Sequence, residues 1–165
     1  MKKIIALTLS LLMMAAFCAC RHCATENEEA VKTVTCNHAG AVSGGKTIEL
    51  EVYDTWDFDA FDDGNYSGLC LSPKSNSCLK FMLYSCPDFG VCGTGLEEKH
   101  ISLGGYDANV GYYDGAECFD FIVLSVGEDT FVVTRDYDCD GIVSDDELKV
   151  ACDELLAMLD GVSIK

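Results

Sequence analysis

FDFIVLSVGEDTFVVT, residues 119–134, is the stretch of sequence that decides the fold. Its two apolar segments, Phe119–Val126 and Thr130–Thr134, are rich in β-branched and aromatic residues, which favour β-strands. Residues 127–129, Gly-Glu-Asp, separate them, and this composition is typical of a tight turn. The stretch therefore predicts an antiparallel β-hairpin.

Segments on the N-terminal side of this hairpin extend the pattern. Residues 47–53 alternate apolar and polar side chains, as expected of a half-buried strand. Residues 78–84 predict a second strand, and residues 99–103 a weaker third. The dipeptides Gly104-Gly105 and Asp114-Gly115 mark turns. These signals predict a small, mostly antiparallel sheet.

The C-terminal segment changes from a strand period to a helical one. One helical face between Asp145 and Leu159 carries Leu148, Cys152, Leu155, Leu156 and Leu159. Asp145 and Asp146 stand at the start, where the helix dipole favours negative charge, and Asp160-Gly161 ends the segment. The predicted fold class is α+β, a small sheet followed by a C-terminal helix.

An acidic segment, DYDCDGIVSDDE at residues 136–147, joins the hairpin to this helix. A calcium loop of this length needs oxygen ligands at positions 1, 3, 5, 7, 9 and 12, with glycine at position 6. The candidate ligands are Asp136, Asp138, Asp140, Ile142 (through its carbonyl oxygen), Ser144 and Glu147. Gly141 stands at position 6. Because the loop's carboxylates repel one another without a cation, the segment predicts a Ca²⁺ site.

The motif resembles the loop of the EF-hand family, and the resemblance covers residues 136–159. In that family the apolar residue at position 8, here Val143, usually faces the core. The chain departs from the family in two ways: β-branched residues 131–134 predict entry from a strand, and there is no second loop. The resemblance therefore implies a structural site like those of extracellular bacterial proteins, with an affinity of order 10⁻⁴–10⁻³ M.

The N-terminus predicts export. Lys2 and Lys3 precede an apolar run that is short for a membrane span, so residues 1–20 are interpreted as a signal peptide with a signal helix. Polar residues 21–35 are interpreted as a flexible tether, and residues 36–165 as a disulfide-rich, calcium-binding domain. Cys20, preceded by Ala19, resembles a bacterial lipidation site, so the protein is expected outside the cytoplasm, either secreted or lipid-anchored.

Cysteine usage agrees with an oxidising compartment. Eight of the 11 cysteines lie beyond the N-terminal region: Cys36, Cys70, Cys78, Cys86, Cys92, Cys118, Cys139 and Cys152. An even number in a small exported domain predicts up to four disulfides, whose connectivity the sequence leaves open. A bond from Cys139 to Cys118 or Cys152 would anchor the calcium loop.

The net charge of −17 argues against nucleic acid or an anionic membrane surface as a partner. No segment predicts a catalytic set. The match of residues 40–47 to a P-loop is interpreted as coincidence, because a strand pattern follows it. Acidic residues 54–65 are interpreted as an exposed loop, part of which packs against the core because Trp56, Phe58 and Phe61 alternate with the acids. A second cation site and a carbohydrate-binding platform on these aromatic residues are the alternatives.

Three functions follow. The first is a calcium-stabilised structural or binding protein of the cell envelope, whose protein or glycan partner the sequence does not identify. The second is a pilin-like or adhesion module, because two strands and an Asp-rich turn between residues 119 and 141 loosely resemble a pilin C-terminus. The third is a calcium-dependent extracytoplasmic enzyme.

Overall fold

The computed structural model describes residues 35–136 and 143–165. Within them the chain forms ten β-strands and one α-helix. The strands are β1 (Cys36–Ser43), β2 (Lys46–Tyr53), β3 (Trp56–Asp62), β4 (Ser67–Pro73), β5 (Phe81–Ser85), β6 (Leu96–Leu103), β7 (Tyr106–Tyr113), β8 (Phe121–Val126), β9 (Asp129–Arg135) and β10 (Ser163–Ile164), and the helix is α1 (Asp145–Leu159).

The strands form two antiparallel sheets. One has seven strands in the order β3-β4-β5-β9-β8-β7-β6, and the other has three in the order β1-β2-β10. Every strand pair is antiparallel. The prediction of an α+β fold with a mostly antiparallel sheet and one C-terminal helix is confirmed. The structure has more strands than the sequence predicts, because only five of the ten carry clear sequence signals.

The predicted hairpin is present as β8 and β9, and it lies inside the larger sheet. Gly127 and Glu128 form its turn, and Val126 pairs with Asp129. β5 pairs with the outer edge of β9 and β7 with the outer edge of β8, so both edges of the hairpin are paired. Its inward side chains, such as Leu124 and Phe131, are fully buried. The apolar density that predicted the hairpin therefore reflects its central place in the core.

The acidic segment that the sequence predicts as an exposed loop contains strand β3, so the loop part of this prediction is wrong. The predicted packing of part of the segment against the core is confirmed for Trp56 and Phe58. Trp56 faces the core at 1% exposure, whereas Asp57 and Asp59 point outward and are exposed. Because β3 is an edge strand, charged residues on its solvent face are tolerated and discourage pairing with another chain. Burial of Trp56 also removes it from any carbohydrate-binding platform.

The P-loop match lies in the β1–β2 hairpin. Gly44 and Gly45 form its turn with φ values of 56° and 78°, a left-handed geometry that favours glycine. The backbone N–H of Ser85 donates to the Oγ of Ser43 at 2.7 Å, which fixes this turn against the end of β5. A strand follows the turn where a P-loop needs a helix, in agreement with the interpretation as coincidence.

Helix α1 begins and ends where its pattern predicts. Its buried residues are Ala151, Cys152, Leu155, Met158 and Leu159. They join one hydrophobic core with the inward faces of both sheets. After the helix, β10 pairs with β2, so the C-terminus is tied into the three-stranded sheet.

Candidate metal centre

Strand β9 delivers the first residue of the predicted calcium loop. The backbone N–H of Asp136 donates to the carbonyl oxygen of Lys80 at 2.9 Å, which extends the β5–β9 ladder to this residue. Next to it, Arg135 forms an ion pair with Asp120 at 3.1 Å, with both side chains 16% exposed. The loop is therefore entered from a strand, as the β-branched sequence predicts, and its first residue is fixed by the sheet.

The other end of the loop is the first turn of α1. Ser144 is the N-cap residue, and its Oγ accepts a hydrogen bond from the Glu147 N–H at 3.3 Å. The Glu147 carboxylate accepts in return from the Ser144 N–H at 3.1 Å and from its hydroxyl at 2.8 Å. This capping box places positions 9 and 12 of the motif side by side.

The electrostatics of this turn keep Glu147 ionised. Hydrogen bonds from the backbone N–H and then the hydroxyl of Ser144 hold the pKa of the Glu147 carboxyl below its ordinary value. Asp145 and Asp146 occupy the same turn, where the positive end of the helix dipole favours negative charge. An exposed, ionised carboxylate beside two others is a suitable donor for a hard divalent cation.

Val143, at position 8, is half-buried and packs against the hydrophobic core. This is the placement that the EF-hand resemblance implies. Asp138, Asp140, Ile142 and Cys139 lie outside the described residues, as do the predicted signal peptide, Cys20 and tether residues 21–34.

Three contacts hold α1 against the sheets. The indole N–H of Trp56 donates to Glu154 at 2.7 Å. The backbone N–H of Tyr53 donates to the sulfur of Met158 at 3.3 Å. Lys149 pairs with Glu117 at 3.8 Å. The sequence does not reveal these contacts, because Trp56 lies about 98 positions from Glu154 and only the fold brings them together.

Within residues 35–136 and 143–165, no group of three histidine, cysteine or acidic side chains is arranged to hold a metal. This applies to residues 54–65, where a second cation site was an alternative. There, Asp63 accepts backbone N–H bonds from Asn65 and Tyr66, both at 2.8 Å, and these bonds lower its carboxyl pKa. Its carboxylate therefore stabilises the β3–β4 turn.

The cysteine candidates are spread over the described fold, and no sulfur–sulfur bond joins any two of those described. Cys36 and Cys92 are exposed, whereas Cys86 and Cys152 are buried. Cys118 and Cys152 lie near each other, because each thiol perturbs the pKa of the other. Burial, followed by the proximity of Cys118, raises the pKa of the Cys152 thiol to about 12.

Two grooves flank the start of α1. One, of about 660 Å³, is lined by the β2–β3 turn, the segment 73–79 and helix residues that include Glu147 and Glu154. The other, of about 460 Å³, lies between segment 116–118, Arg135 and helix residues 145–149. Their linings combine charged, polar and apolar side chains and contain no histidine, so neither presents a nucleophile paired with an imidazole base.

Comparison with known proteins finds no matching family model, no similar curated protein and no similar solved structure. Among the described residues, no helix has both the length and the apolar character needed to cross a bilayer.

Proposed function

We propose that the chain is an exported protein that binds one Ca²⁺ ion at residues 136–147 and uses it to fix the connection between β9 and α1. The observation that carries the proposal is the capping box, which sets Ser144 and Glu147 together at the helix start, directly after a loop with the full calcium motif. The role is structural, or supports binding to a protein or glycan partner, at the cell envelope.

The placement of the loop ends supports a structural role. Asp136 is held by the β5–β9 ladder, and Glu147 lies on a helix that is hydrogen-bonded to β3 through Trp56. Both ends therefore belong to one packed framework. Closing a loop between fixed ends costs little further chain entropy, so the binding energy of calcium stabilises the native state.

The charge of the segment supports a cation as the ligand. Residues 136–147 contain four carboxylates at ligand positions and two more at the helix start. These negative charges repel one another in the metal-free protein, and a bound Ca²⁺ neutralises them. The N-terminal end of α1 alone offsets only part of this charge, because a helix dipole contributes roughly half an elementary charge.

Thermal unfolding with and without calcium tests the proposal. With an affinity of order 10⁻⁴–10⁻³ M, about 10 mM Ca²⁺ is expected to add roughly 1.4–2.7 kcal/mol, or about 3–10 °C in Tm, over the protein in chelator. Glu147→Gln should abolish this increase. Because glutamine also serves as the partner in a capping box, this variant should fold with little change in chelator.

Glu98→Gln is the matched control, because Glu98 is an exposed residue of β6 and its substitution removes the same charge. It should keep the full calcium response. Equal unfolding curves with and without calcium for the wild-type protein would refute the proposal, as would a calcium response that Glu147→Gln leaves intact.

The proposal includes export, with a signal peptide in residues 1–20, disulfide bonds in the folded domain, and either a secreted or a Cys20-lipidated form. The excess of acidic over basic residues and the even cysteine count beyond residue 35 support it. Mass spectrometry of the mature protein, native and reduced, measures the cleavage site, the lipid mass and the number of disulfides together. An intact N-terminus with all thiols reduced would contradict this part.

The grooves beside α1 bear on the enzyme alternative. The larger one is lined by Asp146 and Glu147, so it adjoins the proposed calcium loop. Its other carboxylate on the helix, Glu154, is occupied by the Trp56 indole. These contacts favour a structural use of the region over catalysis, and no described contact favours the pilin-like alternative.

A further inference from the structure

Two cysteines from distant parts of the sequence meet where α1 packs on the larger sheet. Cys118 lies in the β7–β8 connection and Cys152 in the second turn of α1. Glu117, the residue before Cys118, forms an ion pair at 3.8 Å with Lys149, which precedes Cys152 by three positions on α1. The thiols of Cys118 and Cys152 lie close enough for each to perturb the pKa of the other. We propose that Cys118 and Cys152 form a disulfide that fastens α1 to the β7–β8 connection.

The surroundings of the pair favour a structural disulfide over other uses of two cysteines. Cys152 is 3% exposed and belongs to the hydrophobic core, and Cys118 packs against that core. Within the described parts of the chain, no third metal-ligating side chain joins them. Redox-active cysteines need a thiolate and solvent access, and burial here raises the pKa of both thiols.

The proposed disulfide would close a long loop of the chain. Between the two cysteines lie β8, β9 and the connection to α1. The bond would add a covalent link to the burial of five α1 residues in the hydrophobic core and to the hydrogen bond between Trp56 and Glu154. A disulfide that closes the chain between Cys118 and Cys152 is expected to stabilise the native domain, chiefly by restricting the conformations of the unfolded chain.

The oxidation balances with a small disulfide as the oxidant, such as glutathione disulfide. The S–H bonds of Cys118 and Cys152 break, and one S–S bond forms between them. The S–S bond of glutathione disulfide breaks, and two molecules of reduced glutathione take up the two electrons and the two protons. The half-exposed Cys118 is the thiol that an external oxidant reaches first, and Cys152 completes the bond.

Tryptic mapping of the intact, oxidised chain tests the pairing directly. After refolding in glutathione buffer, remaining thiols are alkylated and the protein is digested. Trypsin separates the relevant cysteines, because residues 100–135 contain Cys118, residues 136–149 contain Cys139 and residues 150–165 contain Cys152, each alone. The proposal predicts that peptide 100–135 linked to peptide 150–165 is the main species.

Any other result overturns the pairing. A main species that links peptide 136–149 to either of the other two would assign Cys139 instead, and alkylated monomers of both peptides would show that no bond forms. Calcium binding is measured separately, so this inference can fail while the proposed function stands.

A stability measurement adds an independent readout. In the oxidised protein, Cys118→Ala, Cys152→Ala and the double variant should each lower Tm by about 6–12 °C. The three decreases should be nearly equal, since losing either sulfur removes the same bond. Additive decreases, as expected for two separate packing contacts, would contradict the proposal.

Discussion

At the residue scale, the first turn of α1 gives Glu147 two roles. Its carboxylate closes the capping box with Ser144, and we propose that the same carboxylate is the last ligand of the calcium motif. The two roles are compatible, since a bidentate ligand must be ionised and the hydrogen bonds from Ser144 lower its pKa. The capping box at the start of α1 therefore forms without a bound cation.

The raised pKa of Cys152 predicts how the reduced protein responds to alkaline pH. A thiol whose pKa rises from 9.0 to about 12 on folding contributes stability that is full below pH 9 and is lost as the pH rises toward 12. We therefore expect the reduced protein to lose stability over this range more steeply than the oxidised one. Urea unfolding at a series of pH values measures the difference.

Cys152→Ser is the control for this prediction, because a serine hydroxyl does not titrate in the range. Under reducing conditions its stability should fall less steeply between about pH 9 and pH 12 than that of the wild type. Parallel pH profiles for the reduced wild type and Cys152→Ser would show that burial of this thiol is not responsible.

At the element scale, α1 is positioned by side chains rather than by its own propensity. Glu154 accepts the indole N–H of Trp56 at 2.7 Å, and Trp56 is 1% exposed. Glu154→Ala leaves that buried donor without its acceptor, so we expect a loss of about 1–3 kcal/mol in the free energy of unfolding. Urea denaturation monitored by Trp56 fluorescence measures it.

Asp153→Ala is the matched control, because it removes one carboxylate from the neighbouring, exposed position of the same helix. Asp153 pairs only with Lys149 among the ion pairs described, at 3.8 Å on the surface, so its loss should cost about 0–0.5 kcal/mol. Equal costs for the two variants would mean that the Trp56 contact does not hold the helix.

Some of the secondary-structure elements can be predicted from the sequence, and others cannot. The β8–β9 hairpin and α1 are predictable, because each has one strong period and clear end signals, and the bounds of α1 agree with its pattern. β3 is missed, because the outward acids of an edge strand look like a loop. β7 is missed because Gly111 interrupts it, although the ring of Phe121 covers this glycine and leaves no space for a side chain.

At the scale of the whole molecule, the two sheets bring the ends of the calcium motif onto one framework. Strands β3–β5 form one meander and β6–β9 another, and the second meander returns β9 to lie beside β5. Residue Asp136 therefore leaves the middle of the sheet, and α1 then crosses to Trp56 on the edge strand β3. No local sequence pattern encodes this crossing, because it depends on pairings between distant strands.

Most of the candidate calcium site can be predicted from the sequence. Its ligand positions follow from the spacing of acids around Gly141, and Val143 packs as the resemblance implies. The capping box follows from Ser144 and Glu147 standing three residues apart. The proximity of Cys118 and Cys152 does not, since eight cysteines allow about 105 connectivities and only the packing of α1 brings these two together.

Equilibrium dialysis of the metal-stripped protein against radioactive calcium tests the central claim most directly. One Ca²⁺ ion per chain is predicted, with a dissociation constant of order 10⁻⁴–10⁻³ M, unchanged in Glu98→Gln and lost in Glu147→Gln. Absence of bound calcium at about 10 mM, well above this range, or binding that survives in Glu147→Gln, would contradict the account.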